Sequence, residues 1–294
     1  MTTEKKPETV IEFINFSSKY LEKNNISEAR LNTELLLCDV LKYERMDLYM
    51  NFDKPLSKAE IDQFKGYLLK KKNHEPVQYI TGKSHFFGYE FKIKQGILIP
   101  RPETEILVEK VLNDIFNSGK KEISVFEIGS GSGCISVSIA SELLKKEIKP
   151  VIYSIDVSEE AINLSEENLE KILPGCNTVR FIKKDLFELT KLTRDFDYIV
   201  SNPPYISYDD YLNLEPGVKL FEPETALTDK SDGYTFYRKI FEIASHNEFT
   251  GKVFCEIGYN QQETLCKMLS ESGFKNFEFY KDYSGIERIL ELRK

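Results

Sequence analysis

The chain has no tryptophan, three histidines and five cysteines in 294 residues. His74, His85 and His246 are scattered along it, so neither a metal cluster nor a nucleophilic triad has the side chains it needs in one neighbourhood. Cys38, Cys134, Cys176, Cys255 and Cys266 are odd in number and far apart, with no Cys-x-x-Cys pair. That argues against a disulfide framework and a zinc site, and the thiols are expected to be free and mostly buried. No apolar run approaches the ~18 residues of a membrane span, and the first 25 residues are polar and charged rather than signal-like. A cytoplasmic address without a metal is the expectation.

The formal net charge is −8 and it is uneven. Residues 1–96 carry 16 Lys and Arg against 14 Asp and Glu, which leaves −10 for residues 97–294. An acidic second half is a poor match for naked DNA or RNA, whose affinity comes largely from Lys and Arg contacts to phosphate. No internal repeat or low-complexity tract interrupts the chain.

The periodicity divides it. Residues 7–72 read as helical, with Val10, Ile14 and Leu21 on one stripe and Leu31, Leu35 and Leu41 on another behind a Ser27 cap. Ser57 and Glu60 stand at capping-box spacing ahead of a helix whose Ile61, Phe64 and Leu68 share a face. Residues 78–94 alternate around Gly88 as a hairpin would. From about residue 97, short apolar runs at 123–128, 151–155, 179–182, 196–200 and 252–257 alternate with helical stretches at 134–145, 158–172, 234–246 and 260–271. The pattern predicts an α/β, doubly wound, mostly parallel sheet whose ligands bind beyond the carboxyl ends of its strands. The expected domains are a helical bundle over 1–76, a hairpin linker over 77–96 and the α/β domain over 97–294.

The first α/β strand runs into Gly129-Ser130-Gly131-Ser132-Gly133 ahead of a helix. Alternate glycines let the backbone turn sharply and approach a ligand closely, while the helix start offers free N–H groups. The dinucleotide fingerprint Gly-x-Gly-x-x-Gly would require a third glycine at position 134, which is Cys134. Asp156, at the next strand end, can accept from both hydroxyls of a ribose, in bonds worth roughly 1.5–3 kcal/mol each, or it can cap the following helix. Asp185 and Leu186 follow the third strand, where an adenine ring would lie and where Asp185 can accept from an exocyclic amine.

The fourth strand ends in Asn202-Pro203-Pro204-Tyr205. Two adjacent prolines fix φ and remove two backbone donors, so the segment can neither continue a ladder nor open a helix. Such a corner suits an NH2 on an sp2 carbon. The Asn202 side-chain oxygen and the Pro203 carbonyl can each accept one of its hydrogens, Tyr205 can offer an aromatic surface, and catalysis rests on position and electrostatics rather than on a dedicated base.

Gly-x-Gly-x-Gly together with Asn-Pro-Pro-Tyr resembles the amino-methyltransferases, which act on exocyclic amines of nucleic acids as well as on glutamine. Glu75-Pro76-Val77-Gln78-Tyr79-Ile80-Thr81-Gly82, Leu98-Ile99-Pro100-Arg101-Pro102-Glu103-Thr104-Glu105, Phe221-Glu222-Pro223-Glu224-Thr225-Ala226-Leu227 and Glu256-Ile257-Gly258 are similar to the HemK/PrmC family, the release factor glutamine methyltransferases. The resemblance implies a Rossmann-like domain that uses S-adenosylmethionine, and a substrate glutamine in the Gly-Gly-Gln motif of class I peptide chain release factors. It implies that Gly129 to Gly133, Asp156 and Leu186 line the cofactor pocket, with Asn202 also beside it, and that Asn202 to Tyr205 bind the glutamine. The helical domain would help hold the release factor. Glu127 stands where Asp is frequent in the family, and Leu186 where some members carry Trp. Glu103, Glu105, Glu222 and Glu224 stay open between loop carboxylates and substrate contacts. The competing readings are an exocyclic-amine methyltransferase acting on rRNA or DNA, a non-catalytic cofactor-sensing module, and a dehydrogenase.

Overall fold

A computed structural model describes residues 7–192, 194–246 and 249–293. The chain divides into two compact units, one of residues 1–82 and 215–221, the other of residues 83–214 and 222–294. The first unit thus extends past the expected boundary at 76 and takes in a short segment from far along the chain.

The first unit is built from α1 (Val10–Glu22), α2 (Ala29–Leu41), α3 (Arg45–Met50), α4 (Lys58–Lys72) and α5 (Val77–Thr81). The Ser57 hydroxyl accepts from the Glu60 amide at 3.3 Å while the Glu60 carboxylate accepts from the Ser57 amide at 2.6 Å, so two orphan donors at the start of α4 are satisfied reciprocally. Val10, Ile14 and Leu21 are fully buried, as their stripe predicts, and meet Phe64 and Leu68 of α4 in one core. Helix α2 departs from expectation. It starts at Ala29 after Glu28 in the left-handed region at φ 49°, so Ser27 lies one residue too early to cap it. The buried face is Ala29, Thr33, Leu36, Leu37 and Val40, with Leu31, Leu35 and Leu41 only half-buried. The leucine spacing alone does not show that Ala29 and Thr33 also belong to the buried face.

In the second unit, β1 (Lys83–Phe86) and β2 (Tyr89–Lys92) form an antiparallel hairpin about Phe87 and Gly88. Residues 77–81, expected to begin the hairpin region, are helical instead. Pro76 opens α5 as its cap and Gly82, at φ 74°, closes it, which are the breaker residues that bound a single helical turn.

The α/β sheet follows as α6 (Pro102–Ser118), β3 (Glu122–Ile128), α7 (Cys134–Lys145), β4 (Lys149–Asp156), α8 (Glu159–Ile172), β5 (Val179–Lys183), β6 (Tyr198–Ser201), α9 (Tyr208–Leu212), α10 (Pro216–Lys219), α11 (Glu224–Leu227), α12 (Thr235–Ser245), β7 (Lys252–Glu256), α13 (Gln262–Glu271), β8 (Asn276–Lys281) and β9 (Glu287–Arg293). α10 belongs to the first unit. The seven strands lie in the order β5-β4-β3-β6-β7-β9-β8, parallel from β5 to β7 and antiparallel where β9 meets β7 and β8. The architecture is the Rossmann-like, mostly parallel α/β fold preceded by a helical region. The terminal antiparallel pair lies outside the expected strands.

Alternate residues of the central strands enter opposite cores. Val125, Tyr198 and Val200 pack with Leu107, Val137 and Ile162 of α6, α7 and α8. Phe126, Ile128 and Ile199 pack with Ile240 and Leu265 of α12 and α13. A sheet covered on both faces needs apolar side chains at every position, which is why these strands read as unbroken apolar runs. After β3 the chain winds outward to β5 and then returns to β6 on the other side of β3. The switch point between β3 and β6 opens a crevice at their carboxyl ends.

Within the helical unit, Phe64 is fully buried and meets Phe13 edge to face at 6.1 Å. Phe64→Ala should cost about 3–5 kcal/mol in denaturant titration. A loss below ~1 kcal/mol would mean that this core is not what holds the unit together.

Candidate active site

The carboxyl ends of all five parallel strands deliver residues to one place. Ile128 of β3 leads into Gly129, Asp156 ends β4, Asp185 follows β5, Asn202 follows β6, and Glu256 ends β7. A cavity of about 390 Å³ opens there, within the range of ligand pockets. Gly129, Gly131, Asp156, Asp185, Leu186, Asn202, Pro203 and Pro204 line it.

The glycine loop is held by its neighbours. The Gly129 and Ser130 amides donate to the Ile155 carbonyl at 2.8 and 3.1 Å, and Gly133 donates to the Ser130 carbonyl at 2.7 Å. Gly129, Gly131 and Gly133 all have positive φ, at 86°, 54° and 79°, so each is a position that L side chains adopt with strain. A Cβ on Gly133 would sit 3.1 Å from Ser165, whereas one on Gly131 would meet no atom within 4 Å. Gly133 is therefore crowded by its neighbour, whereas Gly131 has open space beside it and lines the cavity. Ser130 and Ser132 are buried and stand with Gly133 behind the cavity wall rather than in it.

Asp156 does not cap α8, because Ser158 does so by accepting from the Ala161 amide at 3.2 Å. Instead its two oxygens take one backbone donor each, Gly131 at 3.0 Å and Ser158 at 2.9 Å. A carboxylate has about four lone-pair sites, so both oxygens keep capacity for the hydroxyls of a ribose. Asp185 accepts from the Phe187 amide at 2.8 Å, which turns the short helix that starts at Leu186. Leu186 is buried and lines the cavity. The next residue, Phe187, is 46% exposed, also lines it, and meets Phe236 edge to face at 5.2 Å. These two rings form an aromatic wall where the sequence offered only Leu186.

The proline corner is anchored at both ends. Ser201 donates to the Ile128 carbonyl at 2.8 Å. The Asn202 amide Nδ2 donates to Thr104 Oγ1 at 3.0 Å, and Thr104 in turn donates to Glu256 Oε2 at 2.6 Å. Asn202 Oδ1 and the Pro203 carbonyl accept no hydrogen bond from the described residues. Tyr205 is placed differently from a wall of the cavity. Its ring packs into the core, against Gly258, its hydroxyl donates to Glu256 Oε1 at 3.2 Å, and its carbonyl accepts from Gln261 Nε2 at 3.0 Å. A Cβ on Gly233 would lie 2.5 Å from that carbonyl, so the corner also needs a glycine opposite it. Thr104, Glu256 and Gln261 escaped prediction as site residues because they reach Asn202 and Tyr205 across separations of 51 to 98 residues.

Three of the four open glutamates have partners within the chain. Glu222 is buried and accepts from the Ile99 amide at 3.2 Å and from Arg101. Glu105 accepts from the Phe87 amide at 2.8 Å, and Glu224 pairs with Lys230 at 3.3 Å.

Two acids are buried beneath the site. Glu127 is 1% exposed, accepts from Ser136 and from Ser154 on Oε2, and leaves Oε1 without a partner among the described residues. Burial pushes its carboxyl up to about 7, with the Asp156 charge adding to the rise and the two serine hydroxyls opposing it. Burial likewise pushes Glu256 up to about 7, against the hydrogen bonds from Thr104 and Tyr205 and the charge of Arg288. Among the described residues, no group of three or more His, Cys, Asp or Glu could hold a metal ion, and no helix is long and apolar enough to cross a membrane.

Residues 12–82 match the family described as PrmC N-terminal domain, and residues 102–214 the family described as methyltransferase small domain. The chain is 40% identical over 288 residues to the release factor glutamine methyltransferase of Fusobacterium nucleatum, covering 97% of this chain and 78% of that one. It is 37% identical to the protein of the same name from Geobacter sulfurreducens, with 97% of both covered, and 37% identical to that of Clostridium botulinum, with 93% and 95% covered. Among solved structures, the human methyltransferase 10 domain containing protein matches at 14% identity and a TM-score of 0.49, over 70% of this chain and 89% of that one.

The raised carboxyl at Glu127 has a thermodynamic consequence. A group that holds its proton more tightly when folded supports the fold fully below its unfolded value near 4.3, and that support is lost as pH rises to about 7. Glu127→Gln stays neutral throughout. The variant should therefore gain on the parent by on the order of 1–3 kcal/mol between pH 5 and pH 8, in thermal unfolding at both pH values. Parallel pH dependence in the two proteins would show that Glu127 does not titrate in this window.

Proposed function

The chain belongs to the release factor glutamine methyltransferase family, and from that premise we propose that it methylates the side-chain amide nitrogen (N5) of the glutamine in the Gly-Gly-Gln motif of a class I peptide chain release factor, using S-adenosylmethionine. The observation that carries this reading is that Asn202 lines the cavity with its NH2 engaged by Thr104 and its oxygen accepting no hydrogen bond from the described residues.

The cavity's residues suit the cofactor. Gly131 leaves its open side clear, Asp156 retains acceptor sites for two hydroxyls, Asp185 has acceptor capacity for an amine, and Phe187 and Phe236 offer apolar aromatic surface for a purine. When bound, S-adenosylmethionine supplies an electrophilic methyl group on a sulfonium. The protein's part is to present the nucleophile. A carboxamide nitrogen is a poor nucleophile because its lone pair is delocalised into the carbonyl. Accepting both of its N–H bonds, one at Asn202 Oδ1 and one at the Pro203 carbonyl, polarises them and returns electron density to nitrogen. The prolines fix these acceptors in advance, so little reorganisation accompanies reaction. Tyr205 acts from behind, as a packed prop of the corner, rather than as a platform under the substrate.

We place a protein rather than a nucleic acid as substrate, since residues 97–294 carry a net −10 and phosphate contacts need the opposite sign. The helical unit is read as a release factor contact, and the work is placed in the cytoplasm, where translation ends.

Purified protein incubated with methyl-labelled S-adenosylmethionine and a class I release factor should label the Gly-Gly-Gln peptide, mapped by mass spectrometry. Label on rRNA or DNA but not on that peptide would overturn the substrate assignment. Asn202→Ala should lower kcat by ~100-fold or more while the dissociation constant of S-adenosylhomocysteine changes far less. An unchanged kcat would remove Asn202 from the chemistry.

A further inference from the structure

An asparagine amide is almost symmetric in shape. Rotating it by half a turn exchanges its oxygen for its nitrogen with little change in packing, so the partners behind it decide which atom faces forward. At Asn202 that choice matters, because only the oxygen can accept an N–H from a substrate amide.

The partners behind Asn202 form a chain with one direction. Glu256, at the end of β7 and 1% exposed, offers only acceptor oxygens when ionised. Its Oε2 takes the single proton of Thr104 at 2.6 Å. With that proton spent, Thr104 Oγ1 can present only a lone pair to its other neighbour, and the Asn202 NH2 meets it at 3.0 Å. The other oxygen of Glu256 takes the Tyr205 hydroxyl at 3.2 Å. One buried carboxylate therefore holds both ends of the Asn-Pro-Pro-Tyr corner, through Thr104 at one end and directly at the other.

We propose that Thr104 and Glu256 are positioning residues that set the sense of the Asn202 amide, so that its oxygen faces the cavity and accepts from the substrate NH2. This rests on the reading of Asn202 as an amide acceptor given above. Thr104 lies in the first turn of α6 and Glu256 at the end of β7, so the setting is made by three separate elements. A neutral amide in place of Glu256 can donate to Thr104, whose proton is then free to turn toward Asn202 and draw the oxygen backward.

The test is a kinetic cycle on the full chain with a release factor substrate. Thr104→Val keeps the shape of the side chain and removes its hydroxyl, and Thr104→Ser keeps the hydroxyl. Thr104→Val and Glu256→Gln should each lower kcat by ~10–100-fold, with KM for the release factor and the dissociation constant of S-adenosylhomocysteine within about twofold of the parent's, and Thr104→Ser should restore most of the rate. In an Asn202→Ala background, Thr104→Val should cost nothing further, because a residue that acts through Asn202 has nothing left to act on. Full additivity of the two losses, or a Thr104→Val enzyme as fast as the parent, would overturn the proposal. If Asn202→Ala alone retains full kcat, the acceptor reading falls instead, which separates the two failures. Cofactor binding and the melting temperature of each variant show whether it is folded, and Thr104→Ser keeps the question open to test should Glu256→Gln unfold.

Discussion

Glu256 is a carboxyl group with almost no access to water, and much of the site is arranged around satisfying it. Taking an acid out of solvent costs several kcal/mol unless hydrogen bonds replace those of water. The replacements come from Thr104 on α6 and from Tyr205 in the proline corner, while Tyr237 of α12 donates to the Glu256 backbone carbonyl at 2.8 Å. The donors that make the burial tolerable are thus the same groups that set the corner, and elements far apart in the chain are tied to one atom pair. Gln261 extends the arrangement by accepting from the Gly258 amide at 2.8 Å and donating to the Tyr205 and Gly233 carbonyls.

A second buried acid, Glu127, does related work under the glycine loop. Ser136 of α7 and Ser154 of β4 both donate to one of its oxygens, which joins the helix after the loop to the strand beside it. Burial raises the carboxyl of each acid above the ordinary range. Stability is given up at both places relative to an apolar core of the same volume. In return, loop and corner are held in one arrangement without a metal cluster among the described residues.

Much of this was legible before any coordinates. Alternating glycines before a helix, a carboxylate at the next strand end and a double proline after an asparagine each carry their physical reason in a few adjacent residues, and the cavity does collect Gly129, Gly131, Asp156, Asp185, Leu186 and Asn202. Less legible were the helix boundaries around Ser27 and Val77, where a left-handed Glu28 and a Pro76 start overrode simple periodicity. Phe187 was within reach, one residue beyond Leu186, but nothing local says that two successive apolar side chains both line the cavity. Tyr205 was legible as a member of the corner and not as a core residue, because its burial depends on Gly233, Gly258 and Glu256.

Sequence by itself determined the alternation of the parallel strands with their helices, the place of the glycine loop and the rigidity of the proline corner, since φ preferences, apolar period and missing backbone donors act over a few residues. It also carried the likeness by which the family is known. Tertiary structure alone decided which partner the Asn202 NH2 meets, which acids are sealed from water and which glycines are crowded by their neighbours. Those are properties of contacts between residues 9 to 152 positions apart, and a hydrogen bond has direction only once both of its ends have been brought together.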